Sequence, residues 1–291
     1  MSAGIWNASL SHLRQQWQET IPCCGQADCS WLRRLWRRSQ WWNGSIRYED
    51  TAYCSPQCFE SALRQSLVRL CASSPPVPAV RHRVPLGLLL LSRGQLTNPQ
   101  LRAALEAQRG SGRHRLGEWL EKMGFVTEQQ VTSALGLQWA CPVVSARCSP
   151  DPACVRLLPY RLLESFRVLP LQFVAATRTL FLAFGEGIDY GVLYAVERML
   201  DCHTEACLLH RSAMERWLEE VGRRRDSNDL LFEGWRGAPE MARISCGYAL
   251  KLGARKVRAV GCGEYIWVRL DAGADRANLV FRRAPAAAEA G

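Results

Sequence analysis

The sequence predicts an α+β fold in three modules. These are a small N-terminal module of zinc-ribbon or treble-clef type, a central domain of tandem helical hairpins with a small α/β subdomain, and a short C-terminal α+β fragment. Three observations carry this reading. Two stretches rich in Pro, Gly and charge, residues 73–83 and 223–238, interrupt the chain and read as linkers. Two cysteine pairs precede an amphipathic helix near the N-terminus. One helix–turn–helix pattern is then written twice, back to back. The modules run over 1–72, 84–222 and 239–283, and the small-residue segment 284–291 is expected to be a disordered tail.

Composition narrows the function. The chain has 291 residues, 48% of them hydrophobic, with 37 Lys+Arg against 27 Asp+Glu, a formal charge of +10. That charge, carried almost wholly by arginine, suits an anionic partner held by bidentate contacts. No apolar run approaches the roughly 18–20 residues of a membrane span. The N-terminus lacks a basic start followed by an apolar run, so no secretory signal is expected and the protein reads as cytoplasmic. In that reducing setting the 13 cysteines point to metal ligation or buried thiols rather than a disulfide framework.

In the N-terminal module, Cys24 and Cys29 form a C-x4-C pair, with Cys23 beside the first, and Cys54 and Cys58 form a C-x3-C pair. A closed structural zinc site needs four such ligands in a tetrahedron. A metal would also help so short a module fold. The second pair leads into Phe59 to Leu70, where Phe59, Leu63, Leu67 and Leu70 share one helical face. The segment "YCSPQCF" resembles the ligand-bearing end of small treble-clef modules. Between the pairs, "WLRRLWRRSQWWNGSIRYED" interleaves Trp and Arg. That pattern suits nucleic-acid binding by phosphate contact and base stacking, but the reading favours an arginine-faced helix packed by its tryptophans and followed by a hairpin at the Asn-Gly.

The duplicated pattern runs "VPLGLLLLSRGQLTNPQLRAALEAQ" and then "HRLGEWLEKMGFVTEQQVTSALGLQ". Each copy reads as a helix, a Gly-marked turn at Gly94 or Gly124, and a second helix. Thr97 with Gln100, and Thr127 with Gln130, form capping-box patterns. Leu101 and Leu105, then Val131 and Leu135, fall four apart on one face of each second helix.

These residues resemble the MshEN-type domain, the N-terminal region of many type II secretion and type IV pilus assembly ATPases. In that family the tandem motifs bind cyclic di-GMP, one motif to each half of a pseudo-twofold ligand. The resemblance implies ligand contacts from Leu86, Gly87, Leu101, Leu105 and Gln108 in the first copy. In the second it implies Arg115, Leu116, Gly117, Val131, Leu135 and Gln138. The downstream segment "RVLPLQFVAATRTLFLAFGEGID" is similar to a family segment whose acidic residue falls on Glu186, with Gly187 in place of Pro. The first copy departs from the pattern at Pro85, where the motif has arginine, and at Gln95. The second departs at Glu121, which breaks an apolar pair. Losing one charge-assisted hydrogen bond at Pro85 implies affinity weakened by about tenfold to a hundredfold. The rest of the central domain reads as strand, helix, two-stranded turn, helix, strand and helix.

The C-terminal fragment faintly resembles the next domain of those ATPases, but no GxxxxGK[ST] occurs to cradle a nucleotide triphosphate. G-x-S-x-G and H-E-x-x-H are also missing, and the five histidines are scattered. The sequence therefore reads as a non-catalytic cyclic di-GMP receptor or adaptor, with structural zinc and a protein partner of the secretion or pilus type. The alternatives are a docking adaptor that has lost ligand binding and a zinc-dependent nucleic-acid-binding regulator.

Overall fold

The computed structural model describes residues 24–26, 29, 46–73, 83–111, 115–224 and 229–283. These divide into two units: one joins residues up to 74 with those from 228 on, and the other spans 75–227. The Trp/Arg segment up to Ser45, Cys23, most of the 73–83 linker and the 284–291 tail lie outside the described residues.

The first unit begins with a hairpin of β1 (Ile46–Tyr48) and β2 (Thr51–Tyr53). Its two-residue turn, Glu49 and Asp50, takes φ of 46° and 66°, the doubly positive geometry that follows the twist of an antiparallel pair. Helix α1 (Pro56–Ala72) starts at Ser55, whose hydroxyl accepts from the Cys58 N–H, with Pro56 in the first turn, where its missing N–H costs nothing. Phe59, Leu63 and Leu67 are fully buried, and Leu70 only partly so, so the predicted apolar face is present on a longer helix.

After β6 (Asp229–Phe232) comes α10 (Ala238–Leu252), closed by Gly253 at φ 67°, and then the meander β7 (Lys256–Cys262), β8 (Tyr265–Ala272), β9 (Asp275–Arg282). The six strands form one mixed sheet in the order β2-β1-β7-β8-β9-β6. One face carries Val257, Ile266, Val268, Leu270, Leu279 and Phe281, packed with the buried sides of α1 and α10. Buried Asn278 bridges the strands: it accepts from the Trp267 indole at 2.9 Å and donates to Asp229 at 2.8 Å.

Here the structure differs from the sequence reading, which separated 1–72 from 239–283 and treated 223–238 as linker. β1 pairs in parallel with β7, Arg47 opposite Lys256, and β6 pairs in parallel with β9. The two ends of the chain therefore share one sheet. Parallel pairings so distant in sequence, made by strands of three and four residues, leave no local periodicity to read.

The second unit opens with two helical hairpins. The first is α2 (Leu86–Ser92) with α3 (Asn98–Ser111), and the second is α4 (Leu116–Lys122) with α5 (Glu128–Trp139). Gly94 and Gly124 make the turns at φ 65° and 68°, the left-handed conformation that a Cβ disfavours. Thr127 and Gln130 close the expected capping box, and the Gln100 side chain accepts from the Thr97 N–H at 2.9 Å. The hairpin core repeats between the copies: Leu90 with Leu120, Leu96 with Val126, Ala104 with Ala134.

There follow α6 (Pro152–Val155), α7 (Tyr160–Phe166), the antiparallel pair β3 (Val168–Val174) and β4 (Thr179–Phe184), α8 (Tyr190–Leu200), β5 (His203–Leu208) and α9 (Arg211–Arg223). The sheet order is β3-β4-β5, with β4 and β5 parallel. The strand expected at "WACPVV" is reduced to a single bridge, Val143 to Leu208.

Candidate functional site

The two hairpins interlock through their Leu-Gly steps. A Cβ on Gly87 would lie 2.8 Å from Leu101 Cδ1, and one on Gly117 would lie 2.9 Å from Val131 Cγ1. Each glycine thus lets the second helix of its own copy come close. The same Cβ on Gly87 would lie 3.5 Å from Leu116 Cδ2, and the one on Gly117 3.5 Å from Leu86 Cδ2, so each copy's leucine faces the other copy's glycine. The pairing is reciprocal: the same Leu-Gly step of each copy meets that of the other.

Beside this interlock, within the second unit, is a cavity of about 250 Å³. Eight of the sequence-predicted residues line it: Leu86, Arg115, Leu116, Gly117, Val131, Leu135, Gln138 and Glu186. Gly87, Leu101, Leu105 and Gln108 do not. The cavity therefore belongs mainly to the second copy. Among the described residues, Leu86 alone represents the first copy on its wall.

The two helix entries differ in charge and not in backbone geometry. Pro85 and Arg115 occupy the same N-cap position, at φ −55° and −76°, and both carbonyls accept the first helical hydrogen bond. Extended backbone at that φ suits proline as well as arginine, so the first copy keeps its geometry and loses only the cation. Arg115 meets Glu186 at 3.1 Å, and Arg167 lies 3.9 Å from the same carboxylate. Arg167 also pairs with Glu215 at 2.6 Å and ends α7 in a left-handed conformation, φ 46°. Glu186 sits between Gly185 and Gly187. A Cβ at Gly187 would lie 2.7 Å from the Trp139 ring, so glycine there is what admits the indole. Gln138 donates from Nε2 to the Val84 carbonyl at 2.7 Å, tying the entry of the first motif to the end of the second.

Sequence reasoning missed a second polar cluster on the wall. Arg211 reaches Glu121 at 2.9 Å and Glu118 at 3.5 Å. The Glu121 that breaks the family's apolar pair thus has a specific partner. Burial raises its pKa and Arg211 opposes that. Glu128 accepts from the Ser212 N–H and hydroxyl, each at 2.7 Å. Burial pushes Glu128 up, but those two bonds, with the nearby His210 and Arg211, leave its pKa lowered. Thr132 approaches His210 Nδ1 at 3.3 Å. Glu121 and Glu128 stood inside the quoted motif, but nothing in "LLHRSAMERW" links Arg211 to them.

In the first unit, the sulfurs of Cys24, Cys29, Cys54 and Cys58 all lie within 4.8 Å of one another. Cys29 to Cys54 is 3.2 Å and Cys54 to Cys58 is 3.4 Å. Zinc at about 2.3 Å from each of four thiolates places the sulfurs roughly 3.8 Å apart, so the donor set and spacing fit a tetrahedral four-cysteine zinc site. Cys24 and Cys29 precede β1 in the sequence, Cys54 follows β2 and Cys58 stands in the first turn of α1.

Fold and site together define a tandem-hairpin domain whose duplicated motif frames a polar-rimmed cavity. No family model matches the sequence, and no curated protein does. Among solved structures, the chain is similar to MshE solved with cdg, cyclic di-GMP, at 30% identity over 47% of this chain and 99% of that one, TM-score 0.42. It is also similar to the N-terminal domain of XpsE in two crystal forms. One is at 23% identity, 46% of this chain, 91% of that one and TM-score 0.36; the other at 25%, 45%, 89% and 0.29. Through its central unit the chain belongs to the MshEN-type family of secretion-ATPase N-terminal domains. That assignment rests on the identity to MshE and on the two motifs; the superposition scores, all below 0.5, add nothing to it.

Proposed function

We propose that the protein is a non-catalytic receptor for cyclic di-GMP, held in the central unit, which passes occupancy to a secretion- or pilus-type machine. The observation that supports this most is the convergence of Arg115, Gln138 and Glu186 with the Leu86 and Leu116–Gly117 steps on one cavity. That set offers a guanidinium for phosphate or a guanine edge, a carboxylate for guanine N–H donors and apolar steps for a base face. MshE, at 30% identity, was solved with that ligand. The four-cysteine cluster is assigned to structural zinc.

Pro85 favours one rival reading, an adaptor that keeps the fold for docking and has lost the ligand. Calorimetric titration of the full chain and two variants separates the two. Arg115→Ala removes a charge-assisted bond and is expected to weaken cyclic di-GMP binding by about tenfold to a hundredfold. Leu135→Asp places an unpaired charge on the apolar wall and is expected to abolish binding, with a retained circular dichroism spectrum. Unchanged affinity in both folded variants contradicts the proposed site.

A further inference from the structure

We propose that Arg83, laid on the Trp139 indole, supplies the cation that the first motif lacks at Pro85 and takes a phosphate oxygen of the bound nucleotide. This rests on the nucleotide reading above and goes beyond it by assigning a residue outside either motif.

The guanidinium carbon of Arg83 lies 3.4 Å from the centroid of the Trp139 ring, well inside cation–π range. Trp139 is itself on the cavity wall. The hydrogen bond from Gln138, also on that wall, to the Val84 carbonyl fixes the backbone next to Arg83. Arg83 does not itself line the cavity; it is held against a residue that does, by its own stacking and by its neighbour's backbone.

The other arginines of this region already have partners. Arg115 and Arg167 share Glu186, Arg167 also takes Glu215, and Arg211 takes Glu121. Arg83 makes no ion pair or hydrogen bond among the described residues beyond its contact with the ring. With its carbon 3.4 Å from the ring centroid, the guanidinium contacts the indole through its face, and a contact of that kind leaves the in-plane N–H donors for other acceptors. That planar fork suits two oxygens of one phosphate. The stack also holds the side chain in one orientation, which lowers the entropy lost when an anion arrives.

The geometry at Pro85 explains why the cation can come from two residues upstream. Proline at the N-cap points no charge at the cavity, whereas the equivalent Arg115 does so from the same helix-entry position. Restoring arginine at position 85 should therefore make Arg83 dispensable.

The test is calorimetry of the full-length protein with cyclic di-GMP, comparing the unaltered chain, Arg83→Ala, Arg83→Lys and the double variant Arg83→Ala/Pro85→Arg. Arg83→Ala is expected to weaken binding about tenfold or more. Arg83→Lys, which keeps the charge and loses the fork, is expected to fall between. The double variant is expected to recover most of the loss, which a merely structural role for Arg83 does not allow. Affinity within about twofold of the unaltered chain in Arg83→Ala overturns the assignment. So does a loss that Pro85→Arg fails to recover in a folded double variant. No saturable binding by the unaltered chain overturns the nucleotide reading itself, and this inference with it.

Discussion

Gly87 and Gly117 look interchangeable in the sequence, each in the same Leu-Gly step of its copy, but their neighbours differ. A Cβ at Gly117 would meet the γ-methyl of buried, β-branched Val131 at 2.9 Å, a side chain stiff at χ1. At Gly87 it would meet the end of the more adaptable Leu101 at 2.8 Å. Replacing a helical Gly by Ala gains up to about 1 kcal/mol in propensity, and overpacking costs about 1–3 kcal/mol. Gly117→Ala is therefore expected to destabilise by about 1–2 kcal/mol in denaturant unfolding, with Gly87→Ala near neutral. Equal effects would show that valine at 131, where the first copy has Leu101, has no packing consequence. At this scale the repeated motif singled out Arg115 and Gln138, and the downstream segment Glu186, because each stands in a fixed pattern; all three line the cavity. Arg211 and Trp139 were illegible as site residues. One is placed by a helix that enters from far along the chain, and the other depends on the missing Cβ of Gly187.

At the scale of elements, α9 begins without a side-chain cap of its own: His210, at its N-cap, makes no capping bond. Glu128, in the first turn of α5, provides it by accepting from the Ser212 N–H and hydroxyl. A carboxylate at a helix N-terminus also complements the macrodipole. Because its pKa is lowered in the fold, Glu128 stabilises fully above its unfolded value, near about 4.3. That contribution is lost as pH falls through the folded value. Glu128→Gln is accordingly expected to cost about 1 kcal/mol near pH 7, as other lost caps do, and less at about pH 3. A pH-independent difference in unfolding free energy would contradict the capping role. Helices with internal signals were legible: α1 through its apolar face, α3 and α5 through Thr–Gln boxes. The short strands β1 and β6 were not, since their partners β7 and β9 lie elsewhere in the chain.

For the whole molecule, local signals pointed to three consecutive modules and the structure has two units, because the sheet of the first is completed from both ends. Its cysteine cluster and the cavity lined by Arg115, Gln138 and Glu186 fall in different units. Elemental analysis of the purified chain is expected to find one zinc. Chelation, or Cys54→Ser, is expected to lower the melting temperature of the first unit's transition while leaving cyclic di-GMP affinity unchanged. A matching loss of affinity would contradict this division of labour. The central claim concerns the cavity, and titration of the full chain with cyclic di-GMP, with GTP and cyclic di-AMP as controls, tests it most directly. The account predicts saturable, selective binding of about one dinucleotide per chain, and a thermal shift that grows with ligand concentration. Absence of both in a folded sample would contradict it and leave the tandem hairpins as a docking surface alone.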